Sequence, residues 1–444
     1  MQAPLLVNHV TELIAAIATA PGHGGIGVVR ISGSDVRFFA NQLSGIDPKP
    51  RHAHFCKLRD ALGDVLDEGI LLYFPAPNSY TGESVLEFQG HGGPAVLNLV
   101  LDRCIELGAR LALPGEFTKR AFLNNRIDLV QAESVSDLIE ASSAQAARAA
   151  LRSLSGVFSH RINGLCERLI ELRMLVEASI DFPEEDIDIL DKFNVCQRLL
   201  DLQNDLDALS VQAQSGKRIR DGVSVVIAGP PNVGKSTLLN AFAGDDVAIV
   251  TPYAGTTRDP ITETIQVGPV LLSMTDTAGL HKTLDPIETE GISRAHKAMK
   301  TADLVLWVID ATSKKLSEPE NIPENVPVWK IYNKIDLIEQ HSGLFGGIAV
   351  SAHSGFNLNK LREELRIFVE SRDFGEGAFT ARNRHIEALR LTRDQLDQAL
   401  QNYEVCELLA ESLRTAHQTL SRITGTFDSE ALLGEIFSRF CIGK

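Results

Sequence analysis

The spacing of apolar residues changes character three times along the chain. From residue 1 to about 120, short apolar runs such as Gly27 to Ile31, Gly69 to Phe74 and Val85 to Phe88 alternate with glycine and proline clusters, the punctuation of strands and turns. Leu13 to Ala20 resembles the apolar part of a secretory leader, but it follows Glu12, lacks a basic start and is short, so a buried strand is expected. One helix is predicted over Pro94 to Leu107, where Val96, Leu97, Val100, Leu101 and Ile105 recur at helical spacing and Gly108 offers a left-handed stop.

After Arg126 the rhythm becomes helical, with Leu165, Leu169, Leu172 and Val176 on one face until Pro183; the acidic run Glu184 to Asp188 reads as a solvated face or a helix start. A second helix, paced by Leu199, Leu202, Leu206 and Leu209, is expected to end near Gly216. From 217 to about 375 apolar strands alternate with helices, the grammar of a mostly parallel sheet covered on both faces, and from Arg382 to Ile423 helical spacing returns. The economical reading is an N-terminal α+β domain over 1–120 and a discontinuous α-helical domain over 121–216 and 376–444. A Ras-like P-loop α/β domain over 217–375 is inserted between its halves, which requires only closely spaced chain ends.

A chain of 444 residues exceeds the roughly 250–300 over which one core keeps growing, which agrees with several domains. Its 58 acidic against 43 basic residues leave a net charge of −15, so the surface as a whole is a poor grip for phosphates, and nucleic acid contact must be local or shared with a partner. Cys56, Cys104, Cys166, Cys196, Cys406 and Cys441 form neither a CxxC pair nor a zinc spacing, which suits a reducing cytoplasm. No run approaches the roughly 20 apolar residues of a membrane helix.

Candidate chemistry concentrates in the inserted domain. Gly229 to Ser236 fits GxxxxGK[ST], between the apolar strand Val223 to Ala228 and the helix Thr237 to Ala243. In such a loop the amides around Asn232, Val233 and Gly234 curl about phosphate oxygens, Lys235 reaches the outer phosphates, Ser236 ligates magnesium, and Thr237 opens the helix whose dipole favours the anion. Asp276, Thr277, Ala278 and Gly279 close the strand Val270 to Thr275, placing a carboxylate for water-bridged magnesium and an amide for a γ-phosphate. Asn333, Lys334, Ile335 and Asp336 follow the strand Val328 to Tyr332 and select the base. Guanine's ring N–H and amine can both donate to Asp336, whereas adenine would leave that carboxylate unpaired, a mismatch worth up to about 10⁴-fold. Ser351, Ala352 and His353, after Ile348 to Val350, can supply an amide to the guanine carbonyl. Four motifs in this order, each at a strand end, specify GTP binding far better than any one of them.

Small GTPases commonly orient the attacking water with a glutamine after the second motif and borrow an arginine. Leu280 occupies that position here and cannot orient water, so Asp285, Glu288 and Glu290 are the nearest acceptors. A monovalent cation can take the arginine's place if Asn232 and the carbonyl-rich turn Thr251, Pro252, Tyr253, Ala254, Gly255, Thr256 and Thr257 hold it against the phosphates; Arg258 is the alternative, an internal finger. Thr256 or Thr257 is the natural second magnesium ligand.

These motifs, with Arg30-Ile-Ser-Gly33, Gly90-His-Gly-Gly93, Pro114-Gly-Glu-Phe117, Ala121-Phe-Leu-Asn124, Asp181-Phe-Pro-Glu184 and the terminal Phe440-Cys-Ile-Gly-Lys444, closely resemble the MnmE (TrmE) family of tRNA-modification GTPases over essentially the whole chain. The resemblance implies a homodimer formed through an N-terminal folate-binding domain, with a potassium-promoted pairing of G domains. It implies Glu288 as the water-orienting residue; Asn232, Thr251, Tyr253 and Thr256 as potassium ligands; and Ser236 and Thr257 as magnesium ligands. Arg30, Glu87, Arg126 and Lys444 would surround 5-formyl-tetrahydrofolate or a related folate, and Cys441 matches a tail cysteine suspected of a part in the chemistry. His23 stands where the family carries Arg or Lys, and Arg126 where it carries Lys. An FAD-bearing partner, MnmG, would form a heterotetramer that installs a carboxymethylaminomethyl or aminomethyl group at carbon 5 of the tRNA wobble uridine. Two rival readings are a ribosome-assembly switch, for which no GXXG loop in a basic surround is present, and a one-carbon folate enzyme with an acquired G domain.

Overall fold

Burial with a period of two builds the first sheet. The computed structural model describes residues 12–141, 143–181, 189–243, 262–267, 270–276, 299, 302–313, 326–338, 346–370, 378–425, 430–438 and 440–443. The strands β1 (Ile14–Ile17), β2 (Gly24–Gly33), β3 (His54–Arg59), β4 (Val65–Phe74), β5 (Ser84–Gly92) and β6 (Arg110–Leu111) lie in the order β3-β4-β5-β2-β1-β6. Every pair is antiparallel except β1 with β6. Val29, Ile31, Leu71, Leu86 and Phe88 bury one face against α1 (Val36–Ser44) and α2 (Pro94–Glu106), which supply Phe39, Leu43, Leu97 and Val100. Ile14, Ala15 and Ala16 are fully buried, as expected for a core strand. Phe117 of α3 (Glu116–Leu123) packs with Ile14, Ala16 and Ala112. The C-terminal helix Glu430–Ser438 carries Ile436 and Phe437 into a cluster with Phe440, Leu129 and Ala132. Together these belong to one unit, Met1–Ser136 with Ser421–Lys444.

The other unit, Asp137–Leu420, combines a helical layer with a second sheet. Asp137 lies on α4 (Leu129–Glu140), followed by α5 (Ala144–Leu154), α6 (Val157–Asp181), α7 (Ile189–Lys192) and α8 (Val195–Asp221). The predicted stop at Gly216 is corrected: α8 continues to Asp221. Gly216 serves close approach instead, because a Cβ there would lie 2.0 Å from the carbonyl oxygen of Phe379. The acidic run Glu184 to Asp188 lies outside the described residues.

The sheet runs β12-β11-β10-β7-β9-β8, built from β7 (Val223–Ala228), β8 (Thr262–Val267), β9 (Val270–Asp276), β10 (Leu304–Asp310), β11 (Val328–Asn333) and β12 (Ile348–Ala349). Only the β8–β9 pair within it is antiparallel. Val225, Ile227, Leu306 and Val308 face α9 (Lys235–Ala243) and α10 (Leu358–Glu370), while Val226, Val305, Trp307 and Ile309 fill the opposite face. Burial on both faces explains why β10 is a continuous apolar run.

Beyond the sheet the helical rhythm resumes, as expected from Arg382 to Ile423, as α11 (Asn383–Gln401) and α12 (Cys406–Ser421), separated by residues 402–405. The helical layer, interrupted in sequence, is continuous in space. Gln203 Nε2 donates to Asp397 at 3.0 Å, Arg393 Nε donates to Asp207 at 3.0 Å, and Phe379 stacks on Phe158 at 4.4 Å. Thr380 N donates to Ser153 Oγ at 2.9 Å. Arg220, just before β7, and Arg382, just after the inserted domain, each donate to Asp137 Oδ1 at 2.7 Å.

Candidate nucleotide site and N-terminal arginine site

β7 ends at Ala228 and α9 begins at Lys235, so the intervening loop spans the C-terminal edge of a parallel sheet, where α/β folds collect ligands. Gly229 has φ 141°, and a Cβ there would meet the Val308 carbonyl oxygen at 2.3 Å, so no other residue fits between this loop and β10. Asn232 and Gly234 are left-handed, with φ 64° and 94°. Lys235 is 3% exposed, and its ammonium donates to the carbonyls of Gly229 at 2.9 Å and Pro230 at 2.8 Å. Ser236 and Thr237 follow in the first turn of α9, where backbone amides lack helical partners.

Asn333 joins three of the predicted motifs. Its Nδ2 donates to the Val233 carbonyl at 2.9 Å, its Oδ1 accepts from Ala352 N at 3.0 Å, and it is 2% exposed. Lys334, left-handed at φ 66°, extends its ammonium to the Asn232 carbonyl at 2.8 Å and to Asp310 Oδ2 at 2.7 Å. Burial acts to raise the Asp310 carboxyl, but hydrogen bonds from Lys334 and Thr312 outweigh it and hold it below the usual carboxylate range. Ile335 to Leu337 form a 3₁₀ turn that leaves Asp336 exposed. Ser351 is fully buried, and its hydroxyl caps Ser354 N at 3.0 Å; His353 is exposed beside it. Asp276 ends β9 in register with Ile227 of β7, which sets it on the same edge.

A second constellation belongs to the N-terminal unit. Arg30 and Glu87 face each other across β2 and β5, and Arg30 Nε donates to Glu87 Oε1 at 2.8 Å. The guanidinium also lies 5.6 Å from the Tyr80 ring centre and 5.7 Å from that of Phe117, and reaches the Gly443 carbonyl at 3.4 Å. Burial pushes the Tyr80 phenol up, and its hydroxyl pairs with Thr118 Oγ1 at 2.8 Å. The tail is anchored once more where Gly115 N donates to the Cys441 carbonyl at 3.3 Å; the Cys441 side chain is exposed. Arg126 stands exposed on the turn after α3, and His23 lies exposed between β1 and β2.

The model of the MnmE helical domain matches residues 129–441, and that of the GTP-binding protein TrmE N-terminus matches residues 13–126. The tRNA modification GTPase MnmE of Bordetella petrii is 52% identical, with 97% of this chain and 98% of that protein aligned. Its counterpart in Pseudomonas syringae pv. tomato is 50% identical over 99% of this chain and 100% of that one. The chain belongs to the MnmE family.

As an MnmE-family protein it is a GTP hydrolase. The described residues bring Asn232, Val233, Asn333, Lys334 and Ala352 into one hydrogen-bonded group and join Arg30 and Glu87 to the tail. Thr251, Pro252, Tyr253, Ala254, Gly255, Thr256, Thr257, Thr277, Ala278, Gly279, Glu288 and Lys444 lie outside the described residues, as do Asp285 and Glu290. Two features of this MnmE-family site escaped sequence reasoning. Asp310 could have been found as the carboxylate ending the strand before the Asn333 motif, in register with Asn333 itself. Tyr80 and Phe117 carried no such signal, because each is distant in sequence from Arg30. Among the described residues no helix is long and apolar enough to cross a membrane, and no group of three or more His, Cys, Asp or Glu could hold a metal.

Proposed function

We propose that this MnmE-family GTPase depends on magnesium, is stimulated by potassium and works as a cytoplasmic homodimer with an FAD-bearing, MnmG-like protein in a heterotetramer. Its product is a carboxymethylaminomethyl or aminomethyl group at carbon 5 of the tRNA wobble uridine. The observation that carries the reading is Asn333, whose side chain bonds the phosphate loop on one side and the Ser351 segment on the other, in a chain of this family. In this reading Lys235 leaves its loop carbonyls for the outer phosphates, and Asp336 accepts from guanine.

The donor set fits the ions. Ser236, in the first turn of α9 beside the strand edge that carries Asp276, would hold magnesium together with Thr257, and the ion would offset charge on the phosphates. Asn232, left-handed with its carbonyl accepting from Lys334, would share potassium with Thr251, Tyr253 and Thr256. Glu288 would orient the attacking water. Arg30, Glu87, Arg126 and Lys444 would receive the folate, and two aromatic rings beside the Arg30 guanidinium suit a flat heterocycle. Cys441, exposed on the anchored tail, is the candidate for a part in the modification itself.

The test is steady-state GTP hydrolysis in potassium and sodium buffers of equal ionic strength, with wobble nucleosides measured in a deletion strain. Stimulation by potassium together with loss of the modified uridine is expected. Equal slow rates in both salts would remove the cation site, and unaltered nucleosides would favour a ribosome-assembly switch.

A further inference from the structure

We propose that Asp310 is a positioning residue of the nucleotide site, which holds Lys334 against the phosphate loop and thereby sets how long nucleotide stays bound and how much potassium hydrolysis requires. The potassium part rests on the cation-site reading above; the retention part does not.

Both oxygens of Asp310 are engaged. Oδ1 accepts from Thr312 N at 2.9 Å and Thr312 Oγ1 at 2.7 Å, which locks the carboxylate's orientation, and Oδ2 accepts from Lys334 Nζ at 2.7 Å. The same ammonium donates to the Asn232 carbonyl at 2.8 Å, so one fixed carboxylate, through one lysine, grips a loop about a hundred residues earlier in the chain. Lys334 and Asn232 are both left-handed, at φ 66° and 64°, a conformation that asparagine adopts readily but that is uncommon for lysine. Asn333 fixes the same loop at Val233, one residue on, so the loop is held at two adjacent carbonyls by two adjacent residues of one motif.

An isolated surface ion pair would do little, because solvent screens it and side-chain entropy opposes it. This pair differs in being pre-oriented. The side chains are 33% and 23% exposed, β10 and β11 hold Asp310 opposite Asn333, and Ala311 N closes the register on the Asn333 carbonyl at 2.9 Å. Without the carboxylate, Lys334 loses the contact that aims it. The Asn232 carbonyl is then gripped by a side chain free to swing, the loop samples conformations that do not cradle phosphate, and the Asn232 amide is no longer presented to a cation in one geometry.

The experiment uses the full-length protein and a fluorescent GDP analogue, with dissociation followed by stopped flow for wild type, Asp310→Asn and Thr312→Val, and with potassium titrations of GTP hydrolysis alongside. Asp310→Asn should speed dissociation about tenfold, the scale of one charge-assisted hydrogen bond. Thr312→Val, which loosens the carboxylate without removing it, should give about a two- to threefold effect in the same direction and covers the case in which the asparagine variant folds poorly. The half-saturating potassium concentration should rise several-fold, while the rate at saturating potassium falls by less, a split that general loss of structure would not produce. Dissociation rates equal to wild type in both folded variants would overturn the positioning role. Faster dissociation with an unchanged potassium midpoint would overturn the link to the cation. A wild-type enzyme indifferent to potassium would remove the cation site itself, and the dissociation rates would still decide the role of Asp310.

Discussion

Replacing Asp137 by alanine removes the one carboxylate that both Arg220 and Arg382 share on either side of the inserted domain. The Asp137 side chain is 3% exposed, against 27% for Arg220 and 17% for Arg382, so the two guanidinia are left with partial access to water. Removing one partner of a buried pair costs about 3–5 kcal/mol. The low end applies here, because Arg220 keeps Asp221 at 2.6 Å and both arginines can recruit solvent, so about 3 kcal/mol is expected. For a unit of this size that corresponds to roughly 5 °C in melting temperature. Burial alone would lower the affinity of the Arg220 guanidinium for its proton, and the adjacent Asp137 outweighs it and holds that affinity above its ordinary value. The assay is thermal unfolding without nucleotide, with Asp394→Ala as control; that carboxylate pairs with Arg390 where both side chains are about half exposed, and its loss should cost no more than about 0.5 kcal/mol. Asp137→Asn, which keeps an acceptor oxygen, should fall between them. Equal melting temperatures for Asp137→Ala and the control would refute the reasoning and mean that desolvation of the three groups cancels their attraction.

Three further outcomes are expected. Asp336→Asn should weaken GTP by up to about 10⁴-fold and gain xanthosine triphosphate, and retained GTP affinity in a binding titration would remove Asp336 from the base. Glu288→Ala should bind GTP with an unchanged dissociation constant and hydrolyse it at least about 10²-fold more slowly in single turnover; near-normal turnover would return the role to Asp285 or Glu290. The hydrogen bond and charge of Asp67 raise the His91 imidazolium above its ordinary value of about 6.5, so its contribution to stability is complete below that pH and disappears as pH climbs through the raised value. The melting temperature of the N-terminal unit should therefore decline as pH rises above about 6.5 more in wild type than in His91→Gln, and identical slopes would contradict the pairing.

Much of the nucleotide site is legible in the chain because its chemistry is local. A strand covered on both faces is apolar at most positions, so Val223 to Ala228, broken only by Ser224, and Val328 to Tyr332, broken only by Lys330, announce themselves, and the loop chemistry that follows depends on backbone angles that only residues such as Gly229 permit. Local reasoning failed where the decisive neighbour was remote. Gly216 looked like a helix stop because glycine usually is one, and only the carbonyl of Phe379 pressed against it shows why α8 runs on to Asp221.

By itself, then, the sequence determined the alternation of strands and helices in the inserted domain, the place of the phosphate loop between β7 and α9, and the motif residues at the ends of β9, β11 and β12, all of which follow from periodicity and turn chemistry within a few residues. Tertiary structure alone decided that residues 421–444 cluster with 1–136, that Arg30 lies against Tyr80, Phe117 and the tail, and that Arg220 and Arg382 meet on Asp137. It also decided that Asp310 steers Lys334 onto Asn232. These contacts join residues tens to hundreds of positions apart, and no local preference records them; they exist because closing the cores brings polar and charged groups within reach of partners that offset their desolvation.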